Sequence, residues 1–578
     1  MANRILFKRG NRSTLPTLNY GEPAFVADEK ELYIGTSSGN IKLTRNSEVS
    51  TLTSNLNKVM VTAKNFGALG NGRTNDGTAI QNFLDFCSQY NVIGRVESGV
   101  YILEKQLNIK SNTTLIFDTG AEFKQTHGNT MINIQNNTHT GYNGYRDISI
   151  YGATFNCNGA VIRDPMDCFF MQHAQNVEFN SCTFKNVHSY HALDINGCKN
   201  IRILNCKFID SYDSISKDDR EAIQIDICAP DASQTDPCWD YTPSIDILVE
   251  NCYFGTETSG ALPYTAAVGS HNARYDKFYE NIVIRNNYIE GCRKYGISGW
   301  KWNNCLIENN TIKNCAGGIK LDTPHRNAAS GQNTSGVYKG LQATYGNKII
   351  NNNITDVTST EGIFIRGKYI TSPSSGEAFD GTMYDILISG NIISQTSAAT
   401  YPSLVLLNTY RSTVESNIIK NSYSDGIRVY SSYENIIKGN KIYEAGNYGI
   451  SISNAALTGT DGTSICTGNV VDSNIIKNAI KCGIFLTNGA SYTGVNNNTI
   501  LNANKSANST GTVINISASS NYVTVSNNKI IGTTTFKNLI FITNTCSYVA
   551  VTNNVTNTGT SSNKIYNAST GGITVDNI

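Results

Sequence analysis

Short runs of alternating apolar and polar residues recur along most of the chain, separated by turn residues. In each run the second and fourth residues are apolar, while the third and fifth usually are not. Because successive side chains of a β-strand point to opposite faces, this pattern predicts strands with one buried face and one outward face. The clearest runs are residues 192–196, 222–226, 318–322, 362–366, 426–430 and 483–487.

A second motif keeps a constant phase relative to these strands. The pattern N-x-[IVF], sometimes C-x-F, recurs from about residue 177, and its shortest spacings are 23 to 26 residues. A unit of this length cannot bury its own core and must stack on its neighbours, which predicts a parallel β-helix. We expect the side chains at the first position to stack, with each Asn amide bonding the next coil. These positions are Cys182, Cys206, Cys252, Asn287, Asn310, Asn352, Asn391, Asn417, Asn440, Asn474, Asn498, Asn528 and Asn553.

Two segments outside the repeats have helical spacing. Residues 76–90 begin with Asp76 as a candidate N-cap and place apolar residues on one face, which predicts an amphipathic helix over the open first coil. Residues 46–60 carry apolar residues at spacings of three and four, which predicts a short coiled coil between neighbouring chains.

Composition and charge exclude several classes of function. Charged residues are 16% of the chain and the net charge is +1, so binding of nucleic acid through phosphate neutralisation is not expected. No apolar stretch is long enough to cross a membrane, and the apolar run before Lys8 is too short for a signal peptide. The 15 Cys form no C-x-x-C pair, so free buried thiols are expected.

The outward positions of the repeated strands form two columns. Coils stack about 4.8 Å apart, so Asp226 and His271 are predicted side by side, with Asp194 diagonally across. Insertions at 227–244, 272–280, 323–346 and 367–383 follow these strands at one phase, so they are expected to wall a groove. The third-position column is Asp194, Gln224, Gly269, Ser298, Lys320 and Phe364, and the fifth-position column is Asn196, Asp226, His271, Trp300, Asp322 and Arg366.

Cleavage of a glycosidic bond needs an acid and a second carboxylate roughly 5 to 9.5 Å apart. The catalytic candidates are Asp194, Glu221, Asp226 and His271, with the carboxylates expected to be exposed in the groove. Histidines 173, 188 and 325 have no predicted partner. The substrate-binding candidates are Lys320, Asp322 and Arg366, together with the aromatic residues Trp239, Tyr241, Trp300 and Trp302, whose ring faces suit sugars.

Two stretches resemble known phage proteins. Residues 61–81 resemble the opening motif of the pectate-lyase-like β-helix superfamily, which includes phage tail spikes and pre-neck appendages, and residues 99–103 and 115–121 resemble its first coils. Residues 5–36 resemble the small virion-attachment module of many phage tail fibres. Near the candidate site the sequence is similar to polygalacturonases at Glu221 and Lys320. It departs from them at Ala266, where that family has a His, and at His191, where it has an Asp.

The resemblance implies an all-β chain in three parts: a virion-attachment module at 1–45, the linker at 46–60, and a right-handed parallel β-helix at 61–578 with groove-forming insertions at 227–383. It implies a homotrimer in the virion tail, joined to tail or baseplate proteins by its N-terminus, assembled in the host cytoplasm and released by lysis. Its partner would be a host cell-wall or capsular polysaccharide, with wall teichoic acid or exopolysaccharide as the polymer.

Several functions stay open at this stage. The favoured one is a glycan depolymerase that requires no cofactor. The alternatives are a receptor-binding fibre without catalysis, and a polysaccharide lyase or teichoic-acid phosphodiesterase on the same fold. Metal ligands are not assigned, although a divalent cation such as calcium would suit Asp218 and Asp219. A site between subunits is a further alternative.

Overall fold

The computed structural model describes most of the chain. The predicted coiled coil lies outside the described residues except for Met60, as do His325, Asp218 and Asp219. The described residues are 8–43, 60–213, 220–230, 236–323, 331–371, 378–454, 466–504, 511–531, 538–557, 565–575 and 577.

The N-terminal residues form a small sheet with a separate apolar cluster. Its strands are Lys8–Gly10, Pro23–Val26, Glu31–Thr36 and Gly39–Lys42, and a 3-10 turn spans Arg12–Thr14. The cluster consists of Leu18, Ala24, Val26 and Tyr33. These residues share no cluster with the repeats, and the module boundary at residue 45 stays a prediction.

The repeats form a solenoid of three long sheets in which neighbouring coils pair in parallel. The first sheet runs from Met60–Thr62 to Ile573–Val575, and the second from Asn71–Asn75 to Val555–Asn557. The third sheet carries the outward columns. Its strands are Leu107–Asn108, Ile132–Ile134, Phe169–Gln172, Leu193–Asn196, Glu221–Asp226, Ala266–Gly269, Tyr295–Trp300, Gly317–Asp322, Ile363–Arg366, Leu404–Leu407, Ile427–Tyr430, Ile450–Ser453, Ile484–Thr487, Thr512–Ile516, Asn538–Ile542 and Ile565–Asn567.

The predicted ladder of Asn side chains is confirmed. The Nδ2 of Asn287 donates to Oδ1 of Asn310 at 2.9 Å, and the same bond repeats from coil to coil. Cys252 occupies the equivalent place earlier, since its N–H donates to Oδ1 of Asn287. All fifteen Cys are free and buried. The ladder is Asn287, Asn310, Asn352, Asn391, Asn417, Asn440, Asn474, Asn498, Asn528, Asn554 and Asn577.

The prediction of Asn553 as a ladder residue is wrong by one position. Asn553 is the turn residue before the ladder and has a φ of 53°. Asn554 makes the ladder bonds. The motif matched one residue early because Thr556 stands where the preceding coil has Ile530, so Val555 supplied the apolar residue of the pattern.

The predicted helix covers the first coil and spans Gly77–Tyr90. Its apolar face, including Phe83 and Leu84, is buried in the solenoid core. Asp76 precedes the helix, but its carboxylate accepts the N–H groups of Leu69 and Gly70 at 2.7 and 3.1 Å instead of capping the helix. This carboxylate therefore fixes the loop that leads into the first coil. Within the described ranges, no helix has the length and apolar character needed to span a membrane.

Candidate functional site

The outward columns form as the sequence predicts. Asn196 pairs with Asp226, Ser298 with Lys320, and Trp300 with Asp322. His271 follows the strand Ala266–Gly269 and lies beside Asp226. The register therefore brings the four catalytic candidates onto three successive coils.

The expectation that these carboxylates are exposed is wrong. The exposed fractions are 8% for Asp194, 5% for Glu221 and 1% for Asp226. The insertion after the next strand folds over the face: the Asn272 N–H donates to Oδ1 of Asp226 at 3.2 Å, and the Tyr279 hydroxyl donates to it at 3.3 Å. The three carboxylates therefore lie at the bottom of a cleft.

The cleft consists of two pockets that share His271. The acid pocket has a volume of about 600 Å³ and includes Asp167, Asp194, Asp226 and Trp239 in its lining. The basic pocket has a volume of about 400 Å³. Its lining includes Glu221, Arg293, Lys294, Tyr295, Trp300 and Lys320. One side of His271 is thus acidic, and the other is mainly cationic.

His271 lies between two carboxylates. Its Nδ1 is 3.4 Å from Oε2 of Glu221, and its Nε2 is 3.7 Å from Oδ2 of Asp226. The two distances and the width of the imidazole ring together limit the separation of the two carboxylates to roughly 9.5 Å at most. This limit is the upper end of the range used by glycosidases. The geometry therefore suits a pair of carboxylates that act on one bond.

The two carboxylates differ in charge state. Burial raises the pKa of Glu221, but His271 and then His191 lower it to about 2. Burial raises the pKa of Asp226 to about 6, against the lowering effect of His271. Burial, and then the charges of Asp167 and Asp226, raise the pKa of Asp194 well above its usual value. Glu221 is therefore ionised at neutral pH, while Asp226 keeps its proton up to about pH 6 and Asp194 is harder to ionise than an ordinary aspartate.

Two residues beside these carboxylates were not among the candidates: Asp167 of the acid pocket and His191 next to Glu221. The His191 N–H donates to Oδ1 of Asp167 at 3.0 Å, and its Nδ1 lies 2.9 Å from the backbone oxygen of Glu221. Both residues align in register with Glu221 on neighbouring coils. That shared position was the available signal.

Asp322 is not a substrate-binding residue as predicted, because three cations cover it. Its carboxylate is 1% exposed and forms ion pairs with Arg366, with Lys320 at 3.2 Å and with Lys368 at 3.6 Å. Burial raises the pKa of Asp322, but these cations lower it to about 2. Asp322 is an internal counter-ion that also holds Arg366, while Lys320 lines the basic pocket.

We expect Asp322→Asn to destabilise the fold by about 3 to 5 kcal/mol, because it leaves buried cations without their carboxylate. Since the folded pKa lies below the unfolded value, this stability should be complete above about pH 4 and lost as the pH falls toward 2. Denaturant titration of both proteins measures the difference. Asp385→Asn breaks an exposed pair with Arg411 and should cost less than about 1 kcal/mol. Equal losses in the two variants would contradict this role for Asp322.

The predicted aromatic residues separate into two groups. Trp239 lines the acid pocket and Trp300 lines the basic pocket. Tyr241 is half-buried beneath the Arg274 guanidinium, 4.7 Å from its ring centre. Trp302 is wrong as a substrate contact: it is 1% exposed, lies in the core, and donates its indole N–H to Ser270. Lys301 between the two tryptophans has a φ of 52°, so the chain turns and Trp302 points inward.

Two family descriptions match the sequence. Residues 335–530 match the right handed beta helix region, and residues 60–320 match the rhamnogalacturonase A/epimerase, pectate lyase-like family. The fold is a pectate-lyase-like right-handed β-helix. The prediction of an all-β, right-handed parallel β-helix is thereby confirmed, and the trimer stays a prediction.

One curated relative is a bacterial protein. The chain is 26% identical over 387 residues to plasmin and fibronectin-binding protein A of Streptococcus pneumoniae, covering 60% of this chain and 52% of that protein. The chain thus spans about half the length of this curated relative.

Solved structures extend the comparison. The crystal structure of PfbA, a surface adhesin of S. pneumoniae, has a TM-score of 0.56 at 20% identity and covers 70% of this chain and 94% of that one. A mutant tailspike of E. coli bacteriophage HK620, solved with a hexasaccharide, has a TM-score of 0.50 at 13% identity and covers 93% and 82%. At these identities the likeness shows the fold alone.

Proposed function

We propose that this protein is a phage tail spike or appendage that binds and hydrolyses a host cell-surface glycan in the cleft around His271. The observation that carries the proposal is the placement of ionised Glu221 and the proton-bearing pair Asp194 and Asp226 on opposite sides of one imidazole ring. The HK620 tailspike, a protein of similar fold, is solved with a hexasaccharide, which supports a saccharide as ligand.

The charge states assign the catalytic roles. The pair Asp194 and Asp226 titrates as one unit and donates a proton to the glycosidic oxygen as the bond to the anomeric carbon breaks. Glu221, which is ionised, takes a proton from the water that attacks that carbon. The charges balance, because the acid pair loses one proton and Glu221 gains one. As in inverting enzymes, this assignment requires a water between the two carboxylates, at a separation of roughly 6.5 to 9.5 Å.

The basic pocket favours an anionic polymer such as wall teichoic acid or an acidic exopolysaccharide. Arg293, Lys294 and Lys320 line it, opposed by Glu221 alone among acidic residues of its lining. The Nη2 of Arg293 is buried and has no hydrogen-bond partner within the described part of the chain. A carboxylate or phosphate of the polymer would supply that partner.

We expect Lys320→Ala to weaken binding of the anionic polymer about five- to tenfold at low salt and by less at high salt, because ionic strength screens the lost charge. Isothermal titration at two salt concentrations measures this change. Lys348→Ala, at an exposed position in the first sheet, is the matched control and should bind like the wild type. An effect of Lys320→Ala that is independent of salt would contradict a charge contact.

We also propose that the protein is a homotrimer whose residues 1–45 attach it to tail or baseplate proteins in the virion tail. The separate apolar cluster of the N-terminal sheet supports this division. Deletion of residues 1–45 should leave polymer binding and the trimer mass in light scattering unchanged, but abolish incorporation into virions. Loss of polymer binding by a folded truncated protein would contradict the separation of attachment and cleft.

A second candidate is an adhesin without catalysis, favoured by the similarity to the streptococcal adhesin. Incubation with host cell-wall and capsule fractions, followed by mass spectrometry, separates the candidates. New reducing ends support the hydrolase, and unsaturated ends indicate a lyase. Glycerol phosphate or a related fragment indicates a phosphodiesterase, and intact polymer that binds the protein supports the adhesin.

A further inference from the structure

His173 is a buried side chain with an acceptor at each ring nitrogen. It follows the strand Phe169–Gln172, is 0% exposed, and has a φ of 57°. Its Nδ1 lies 2.6 Å from the backbone oxygen of Gly141, and its Nε2 lies 2.6 Å from the backbone oxygen of Cys238. Sequence analysis gave this residue no partner. The structure gives it two, from segments 32 and 65 residues away.

These two contacts require two donors. A neutral imidazole has one N–H and one lone pair, so one of the two short contacts would join a lone pair to a carbonyl oxygen. An imidazolium donates at both nitrogens and satisfies both oxygens. Oδ1 of Asp240 lies 3.8 Å from Nε2. Burial raises the pKa of Asp240, but hydrogen bonds from Thr242 and Gly141 and the neighbouring His173 lower it overall, so a carboxylate faces the ring.

A metal ion does not fit this cluster. His173, Cys228 and Asp240 each place a potential ligand atom within 4.8 Å of the others, the only such group among the described residues. However, the carbonyl oxygens of Gly141 and Cys238 occupy the directions in which both ring nitrogens would offer lone pairs.

We infer that His173 is an imidazolium that hydrogen-bonds the segments around Gly141 and Cys238 to each other and thereby positions Trp239 in the lining of the acid pocket. Around His173 the same segments share three hydrogen bonds. Asn137 donates to Asp236 at 2.9 Å, the Gly141 N–H donates to Asp240 at 2.7 Å, and the Tyr142 hydroxyl donates to the backbone oxygen of Pro243 at 2.8 Å. Trp239 lies within the segment that these bonds hold, next to Cys238.

The titratable groups that face His173 come from both segments. Asp240, Cys228 and Cys238 belong to the insertion, and His139 belongs to the other loop. Of these, only Asp240 carries a charge at neutral pH, and it favours the imidazolium. Loss of the His173 ring leaves both carbonyl oxygens without their donor, so the two segments should separate more readily in a variant at this position.

Two measurements on the full chain test this inference without reference to catalysis. Nitrogen-15 NMR of histidine-labelled protein, assigned by loss of one signal in His173→Gln, should show both ring nitrogens protonated at pH 6. Hydrogen exchange of the Gly141 amide should be about tenfold or more faster in His173→Gln than in the wild type at the same pH, the size expected when a charged hydrogen bond is lost. His188→Gln, at another buried histidine, should behave like the wild type.

Three results would overturn the inference: a single protonated ring nitrogen at pH 6, unchanged Gly141 exchange in His173→Gln, or stoichiometric zinc in the purified protein by elemental analysis. The effect on glycan binding rests on the proposed function. If Gly141 exchange accelerates in His173→Gln but glycan binding does not weaken, the role of His173 stands and the role of the acid pocket in glycan binding fails.

Discussion

Replacement of Glu221 by Gln is expected to lower turnover of the host glycan by roughly 10²-fold or more, the usual scale for loss of an acid or base group. The amide keeps the shape of the side chain but cannot accept a proton from water. Because Glu221 is buried between His191 and His271, the variant is also expected to lose some stability. This differs from the small change that an exposed side chain would give.

The control for this variant is Glu31→Gln. Glu31 lies in the N-terminal sheet, is 7% exposed, and forms an ion pair with Lys42 at 3.7 Å. It therefore matches Glu221 in residue type and burial but lies outside the sheet that carries His271. Rates should be compared at a temperature where melting curves show both variants to be folded. Near wild-type turnover in Glu221→Gln would place the reaction elsewhere, with a groove between subunits as the next candidate.

The rate of cleavage is expected to fall on the alkaline side of the pH profile only. Above about pH 6 the pair Asp194 and Asp226 loses the proton of Asp226, so kcat/KM should drop about tenfold per pH unit. Glu221, with a pKa of about 2, stays ionised through the range in which the protein is studied. A steady-state profile from pH 4 to 9 measures this decline.

Asp226→Asn tests whether Asp226 causes the decline in rate at alkaline pH, the basic limb of the profile. The substitution should cut turnover by roughly 10²-fold and remove the decline that begins at about pH 6, because Asp226 is the group that titrates there. A profile with the wild-type limb in this variant would mean that another group supplies the proton.

The solenoid and its outward columns were predictable because their signals are periodic. A strand that alternates every two residues and repeats at nearly constant spacing fixes both the face and the neighbour of each side chain, which is why Asp226 and His271 were placed together. Asp167 and His191 carried only a positional signal, their alignment with Glu221 on neighbouring coils, and that signal was not used for them.

Features that depend on insertions or on single backbone angles were not predictable. The burial of Asp226 comes from Asn272 and Tyr279 in an insertion without periodicity. Trp302 lies two residues after Trp300, so strict strand alternation would place both side chains on the outward face. The positive φ of Lys301 turns the chain between them, and Trp302 points inward. His173 acquires its partners from two loops distant in sequence.

The most direct measurement is a crystal structure of the Glu221→Gln protein with an oligosaccharide prepared from the host polymer. The proposed function predicts sugar rings on both sides of His271, with the linkage oxygen within hydrogen-bond distance of Asp194 or Asp226, an acidic group of the polymer at Arg293 or Lys320, and a water beside residue 221. An oligosaccharide bound elsewhere, with an empty cleft around His271, would contradict it.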